Sequence, residues 1–168
     1  AVRWRHLTTG ETGELDVGNH VGAILPTTSN DWIACLADGV YRLEMDSGAT
    51  TLLSRYPHAL GPLNGEAQMR ANDAKVSPHG VVYTGTMPYD PDAHPGSAAL
   101  YRWTSDTLET VFDGVTISNG IGWSPDGRLA YYVDTVTSRI DVSDVDASGH
   151  WSNRRPFAQI SPDIGFPD

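Results

Sequence analysis

One turn occurs twice in this chain, and its spacing limits the folds available. Val76-Ser77-Pro78-His79-Gly80 and Trp123-Ser124-Pro125-Asp126-Gly127 lie 47 positions apart, counted from Gly80 to Gly127. The first leads into the run Gly80-Val81-Val82-Tyr83-Thr84-Gly85, then a loop, then Leu100-Tyr101-Arg102-Trp103. The second leads into Leu129-Ala130-Tyr131-Tyr132-Val133 and then Arg139-Ile140-Asp141-Val142. A fainter copy precedes both: Leu25-Pro26, a polar turn at Ser29-Asn30, then Trp32 and Val40-Tyr41-Arg42-Leu43. A period of roughly 40–50 residues with about four strands per unit is that of β-propeller blades. The competing architecture is a β-sandwich whose turns happen to look alike.

Local patterns agree with an all-β fold. Short apolar or alternating runs such as Val21–Leu25, Trp32–Leu36 and Ala99–Trp103 are separated by Gly, Pro, Asn and Asp, with little helical periodicity between them. The pairs Asp38-Gly39, Asp113-Gly114 and Asp126-Gly127 are expected at tight hairpin turns, where glycine tolerates positive φ.

Composition excludes several functions. A formal net charge of -10, from 11 Lys and Arg against 21 Asp and Glu, repels phosphate backbones, so nucleic acid is not an expected partner. The apolar runs, Val21–Pro26 among them, are far too short to cross a bilayer as a helix, so neither is a membrane. Cys35, the one cysteine, lies in an apolar run and reads as a buried structural thiol. It fits a reducing compartment, and the cytoplasm is the expected location. The histidines at 6, 20, 58, 79, 94 and 150 have no zinc-site spacing, and no nucleophile elbow or phosphate loop is present. Asp126, Asp134 and Asp141 read as caps of turns or blade edges.

At 168 residues the chain has room for one sizeable domain and about three to three and a half blades. Propellers close with about four to eight. The expectation is therefore a single partial β-propeller domain over residues 1–168, truncated at both ends. Missing segments or another chain would complete it.

Three segments carry chemistry. They are Arg70-Ala71-Asn72-Asp73 with Tyr83-Thr84-Gly85-Thr86-Met87, Ser118-Asn119-Gly120-Ile121-Gly122-Trp123-Ser124-Pro125-Asp126-Gly127, and Asn153-Arg154-Arg155-Pro156-Phe157-Ala158 with Gly165-Phe166-Pro167-Asp168. In order and spacing, from about Gly18 to Asp168, they resemble the senescence-marker-protein/gluconolactonase family (the regucalcin-like proteins), whose members are six-bladed propellers.

The resemblance implies a divalent-metal-dependent hydrolase of sugar lactones. Calcium is the expected cation, with zinc, magnesium and manganese as alternatives. Asn119 and Asp168 match the family's metal ligands, and Asp168 would also serve as general base. Arg70 and Asn72 match its substrate contacts, and Asp90 matches a further acidic substrate position. An amide and a carboxylate suit a hard cation and leave coordination places for water and substrate.

The departures are specific. The family's third metal ligand, a Glu in an N-terminal Glu-Gly-Pro segment, has no match, and Ala1–Arg5 reads as if the first strands of a blade were already past. Glu11 and Glu14 sit in Thr9-Gly10-Glu11-Thr12-Gly13-Glu14, read here as a hairpin loop. Ala74 stands where the family usually has glycine. Two other functions therefore stay open: a non-catalytic calcium-binding propeller or inactive fragment, and a strictosidine-synthase-like or arylesterase-like propeller.

Overall fold

The computed structural model describes residues 1–57, 68–105 and 107–168. Among them the strands are β1 Val2–Arg5, β2 Thr12–Leu15, β3 Val21–Pro26, β4 Asp31–Leu36, β5 Gly39–Glu44, β6 Thr50–Arg55 and β7 Met69–Val76. They continue with β8 Val82–Pro88, β9 Ala98–Thr104, β10 Thr107–Val115, β11 Ser118–Trp123, β12 Leu129–Asp134, β13 Arg139–Val145 and β14 Trp151–Gln159. No helix among the described residues is long and apolar enough to cross a membrane.

The strands form three four-stranded sheets, β3-β4-β5-β6, β7-β8-β9-β10 and β11-β12-β13-β14, and a two-stranded unit, β1-β2. Every pairing is antiparallel. The leading strand of each sheet packs against the leading strand of the next, β3 on β7 and β7 on β11. Three sheets joined in this way are propeller blades, and the fold is the expected partial propeller.

The core lies between blades, because each sheet buries one face against its neighbour. Leu25, Cys35 and Tyr56 meet Ala71, Val82 and Tyr101 between the first and second blades. Tyr83, Leu100 and Val115 meet Ile121 and Tyr132 between the second and third. Burying each large apolar side chain contributes about 1.5–3 kcal/mol. Buried hydroxyls are paired: Tyr56 with Thr84 at 2.6 Å across the first interface, and Tyr132 donating to Ser118 at 2.7 Å within the third blade. Cys35 is fully buried, and burial pushes its thiol up to about 11, which leaves it unreactive at neutral pH.

Asp126 and Asp134, read as caps, act as caps, whereas Asp141 lies inside β13 and is ion-paired. Asp126 accepts from the Ser124 hydroxyl and the Arg128 N–H, and Asp134 accepts the N–H groups of Thr116 and Ile117. Asp141, although buried, is held below the usual carboxylate range by hydrogen bonds from Arg139 and Arg154.

The Asp-Gly expectation holds in full at one position of three, and at Asp38-Gly39 for the tight β4–β5 hairpin turn but not for positive φ. Gly127 sits in the β11–β12 turn with φ +70°. Gly114 has φ +73° but forms an irregularity inside the β9–β10 pairing. Gly39 opens β5 without positive φ, and a Cβ there would lie 2.3 Å from the Ser54 carbonyl oxygen, so its requirement is close approach. Glu14 likewise belongs to strand β2, ion-paired with Arg3 at 2.8 Å, and not to the hairpin loop. His58 falls outside the described residues.

Candidate functional site

The three leading strands share a defect near their starts. In β7 the register steps from Ala71↔Thr86 to Ala74↔Thr84, so Asn72 and Asp73 together face Gly85. In β11 it steps from Ser118↔Asp134 to Ile121↔Tyr132, so Asn119 and Gly120 face Val133. In β3 the step leaves Gly22 as the extra residue. Such bulges bend a strand and re-aim its side chains. Asn72 and Asn119 are 47 positions apart, the same offset as the repeated turns, and therefore occupy equivalent places in consecutive blades.

These bulges open onto one cleft of about 510 Å³, lined by Gly22, Asn72, Asp73, Asn119, Gly120 and Asp168, among others. Glycine lets the segments approach. A Cβ on Gly22 would lie 2.6 Å from the Asn72 carbonyl oxygen, and one on Gly120 would lie 2.8 Å from that of Asp168.

Hydrogen bonds then aim the side chains. The Asn72 amide donates to the Ser118 carbonyl at 2.9 Å, and its Oδ1 accepts from Arg70 at 3.2 Å. Arg70 also donates to the Ala71 carbonyl at 3.1 Å, and its guanidinium carbon lies 5.9 Å from the Tyr89 ring centroid. The Asn119 amide donates to the Thr135 hydroxyl at 3.1 Å, which in turn donates to the Pro167 carbonyl at 3.1 Å. No described residue donates to Asn119 Oδ1.

Of the residues singled out by sequence, Asn72, Asn119 and Asp168 meet at the cleft. Arg70 joins them through Asn72 without lining it. Asp90 lies on the exposed loop after β8, where its carboxylate accepts the Ala93 N–H at 3.0 Å. The loop residue that faces Arg70 is Tyr89, whose hydroxyl lies 3.3 Å from His20 Nδ1. Partial burial and the charge of Arg70 hold the His20 imidazole below its ordinary pKa. Sequence reasoning missed Thr135, His20 and Tyr89. Thr135 follows Asp134, which the sequence marks as a cap, but its reach to Asn119 depends on the β11–β12 pairing.

Among the described residues, no three His, Cys, Asp or Glu side chains come together at metal-binding distance. A cation here would draw on amide as well as carboxylate oxygen. Asn119 and the exposed Asp168, both lining the cleft, carry amide and carboxylate oxygens of the kind that hard divalent cations take.

Residues 2–168 match the family model described as SMP-30/Gluconolactonase/LRE-like region. The chain is 32% identical to regucalcin of Danio rerio over 168 residues, which cover 99% of this chain and 54% of that protein. A solved structure of luciferin-regenerating enzyme superposes with a TM-score of 0.81 at 27% identity, covering 96% of this chain and 55% of that one. The calcium-binding protein regucalcin of Agrobacterium tumefaciens superposes with a TM-score of 0.80 at 24% identity, covering 91% and 50%, a likeness of fold. The chain thus spans about half the length of the curated relatives it matches.

Proposed function

Since the chain belongs to the SMP-30/gluconolactonase/LRE-like family, we propose that it supplies part of the catalytic face of a divalent-cation-dependent hydrolase of sugar lactones. The observation that carries this reading is the convergence of Asn72, Asn119 and Asp168 on one cleft, with Asn119 Oδ1 unclaimed by any described donor. Residues 1–168 are then a single partial propeller domain, and further blades complete the ring and the cation's protein ligands. A reducing compartment, the cytoplasm, suits the single buried thiol.

Asn119 and Asp168 would hold the cation, calcium first, with zinc, magnesium or manganese as alternatives. When bound, a cation polarises the lactone carbonyl and favours ionisation of a neighbouring water. Asp168 takes the proton from the attacking water and returns one to the ring oxygen as its bond to the carbonyl carbon breaks. The single product is a hydroxy acid whose carboxyl group retains the water's oxygen. Asn72 presents its amide to sugar hydroxyls, held in place by the Arg70 guanidinium. Arg70, behind Asn72, adds positive charge that favours the developing oxyanion, and Asp90 contacts the substrate from the loop after β8.

The test is lactone hydrolysis by the purified protein at the length of its relatives, followed by pH-stat over a panel of sugar lactones. Turnover should disappear with a chelator and return with a divalent cation. Hydrolysis unaffected by chelation, or no hydrolysis of any lactone in the presence of each cation, overturns the reading. A chain that binds calcium and hydrolyses nothing would instead be the non-catalytic calcium-binding propeller.

A further inference from the structure

We propose that Thr135 is a positioning residue of this cleft: its hydroxyl decides which end of the Asn119 amide faces the cation, and it tethers the segment that carries Asp168. The inference rests on the functional reading above and adds a residue to it.

The argument is one of hydrogen-bond direction. A threonine hydroxyl has one proton to donate. Here it goes to the Pro167 carbonyl, 3.1 Å away, which can only accept. The Thr135 oxygen is thereby left to accept from Asn119, 3.1 Å away on the other side. Only the NH₂ end of an amide can donate, so Nδ2 must turn to Thr135 and Oδ1 away from it. Oxygen and nitrogen of an asparagine amide have nearly the same shape, and packing alone distinguishes them poorly. For a hard cation the distinction is decisive, because only the oxygen is a ligand.

Thr135 is itself held in place. Its backbone N–H donates to the Ile117 carbonyl at 3.2 Å. The preceding carboxylate, buried Asp134, accepts the N–H groups of Thr116 and Ile117 at 3.1 and 3.0 Å. The end of β12 is therefore clamped to the segment that enters β11, which fixes the backbone that carries the hydroxyl beside Asn119. Through Pro167 the same hydroxyl sets the backbone one residue before Asp168.

The experiment compares Thr135→Val, which keeps the shape and removes the hydroxyl, with Thr135→Ser, which keeps the hydroxyl. Calcium alone is the probe, titrated calorimetrically into the purified protein. Thr135→Val should weaken calcium binding about 10- to 100-fold, the usual effect of removing a group that orients a metal ligand. Thr135→Ser should restore it. Thr86→Val is the control for simple loss of a buried threonine hydroxyl, since Thr86 donates to the Ala99 carbonyl inside the second blade; it should leave calcium affinity unchanged. A readout independent of the cation is the side-chain amide resonance pair of Asn119 in ¹⁵N–¹H spectra, which Thr135→Val should shift and Thr135→Ser should not. Calcium bound equally well by wild type and Thr135→Val overturns the inference and leaves the functional reading intact. Wild type that binds no calcium, zinc, magnesium or manganese removes the functional reading and the proposed purpose of Thr135 together; an unshifted Asn119 amide in Thr135→Val would then remove the hydrogen-bond relay as well.

Discussion

At their C-terminal ends, β7 and β11 run into Ser77-Pro78-His79-Gly80 and Ser124-Pro125-Asp126-Gly127, and each turn closes on itself. Gly80 N–H donates to the Ser77 carbonyl and Gly127 N–H to that of Ser124, both at 2.9 Å, with glycine φ values of +77° and +70°. At their N-terminal ends the same two strands bulge, and each side chain there is held from far along the chain. Asn72 is fastened to Ser118, and Asn119 to Pro167 through Thr135. One end of each strand is local and self-sufficient. The other depends on tertiary contacts, with the next blade at Asn72 and with the end of β12 and the segment after β14 at Asn119, and it is the end with the cleft. A rigid turn on one side and an assembled rim on the other let side chains vary at the rim without loss of the blade.

The largest effect separating the two ends should come from the proposed base. Asp168→Asn, in a chain extended through the remaining blades, should lower kcat about 100-fold or more while keeping cation binding, because an amide still coordinates but cannot accept a proton. Arg70→Ala should leave cation affinity nearly unchanged and alter KM or kcat. Steady-state lactone hydrolysis and cation titration on both variants check this. An Asp168→Asn enzyme with full kcat would remove the base assignment, and loss of cation binding in Arg70→Ala would merge the two roles.

A matched pair of glycines gives the next largest contrast. Gly120→Ala places a methyl 2.8 Å from the Asp168 carbonyl oxygen and should displace that residue, lowering lactone turnover severalfold with a modest change in thermal midpoint. Gly127→Ala forces alanine to φ +70°, costing about 1–2 kcal/mol of stability, and should leave kcat/KM unchanged. Thermal unfolding and kinetics on the same two proteins decide it. Equal kinetic effects would mean that the ends are coupled.

The smallest effect is electrostatic and belongs to the turn. Asp126 is held below the ordinary carboxylate range by the Ser124 hydroxyl and the Arg128 N–H. A carboxyl with a lowered folded pKa favours the folded state when ionised. Its contribution is complete above the unfolded value of about 3.9 and disappears as pH falls through the lowered folded one. Asp126→Asn should therefore flatten the acid limb of the stability curve slightly, measured as thermal midpoint against pH, and leave the activity profile where it was. Unaltered acid sensitivity would show that the turn does not need this carboxylate.

The same division explains what could be read from residues alone. The repeated Ser-Pro-x-Gly turns announced the blades because their geometry is made by adjacent residues. The three Asp-Gly pairs looked alike, yet Gly127 sits in a turn, Gly114 in a bulge and Gly39 against the Ser54 backbone. A dipeptide shows that glycine's freedom is available, not which contact will use it. The outer strands β6, β10 and β14 gave weak signals because they are largely exposed, with little apolar alternation to mark them.

By itself, the sequence determined the repeat, the all-β character and the family motifs that mark Arg70, Asn72, Asn119 and Asp168, since turn chemistry and strand patterning act over a few residues. Tertiary structure alone decided that Asn72, Asn119 and Asp168 share a cleft, that Arg70 reaches it through Asn72, that Tyr89 rather than Asp90 faces Arg70, and that Thr135 turns the Asn119 amide. The shared cleft and the Thr135 contact depend on bulge register and on hydrogen bonds between segments up to 46 residues apart, such as Asn72 to Ser118. The Asn72–Ser118 bond forms only once neighbouring blades have packed, and the Asn119–Thr135 bond only once β11 and β12 have paired, so no short stretch of the chain contains them.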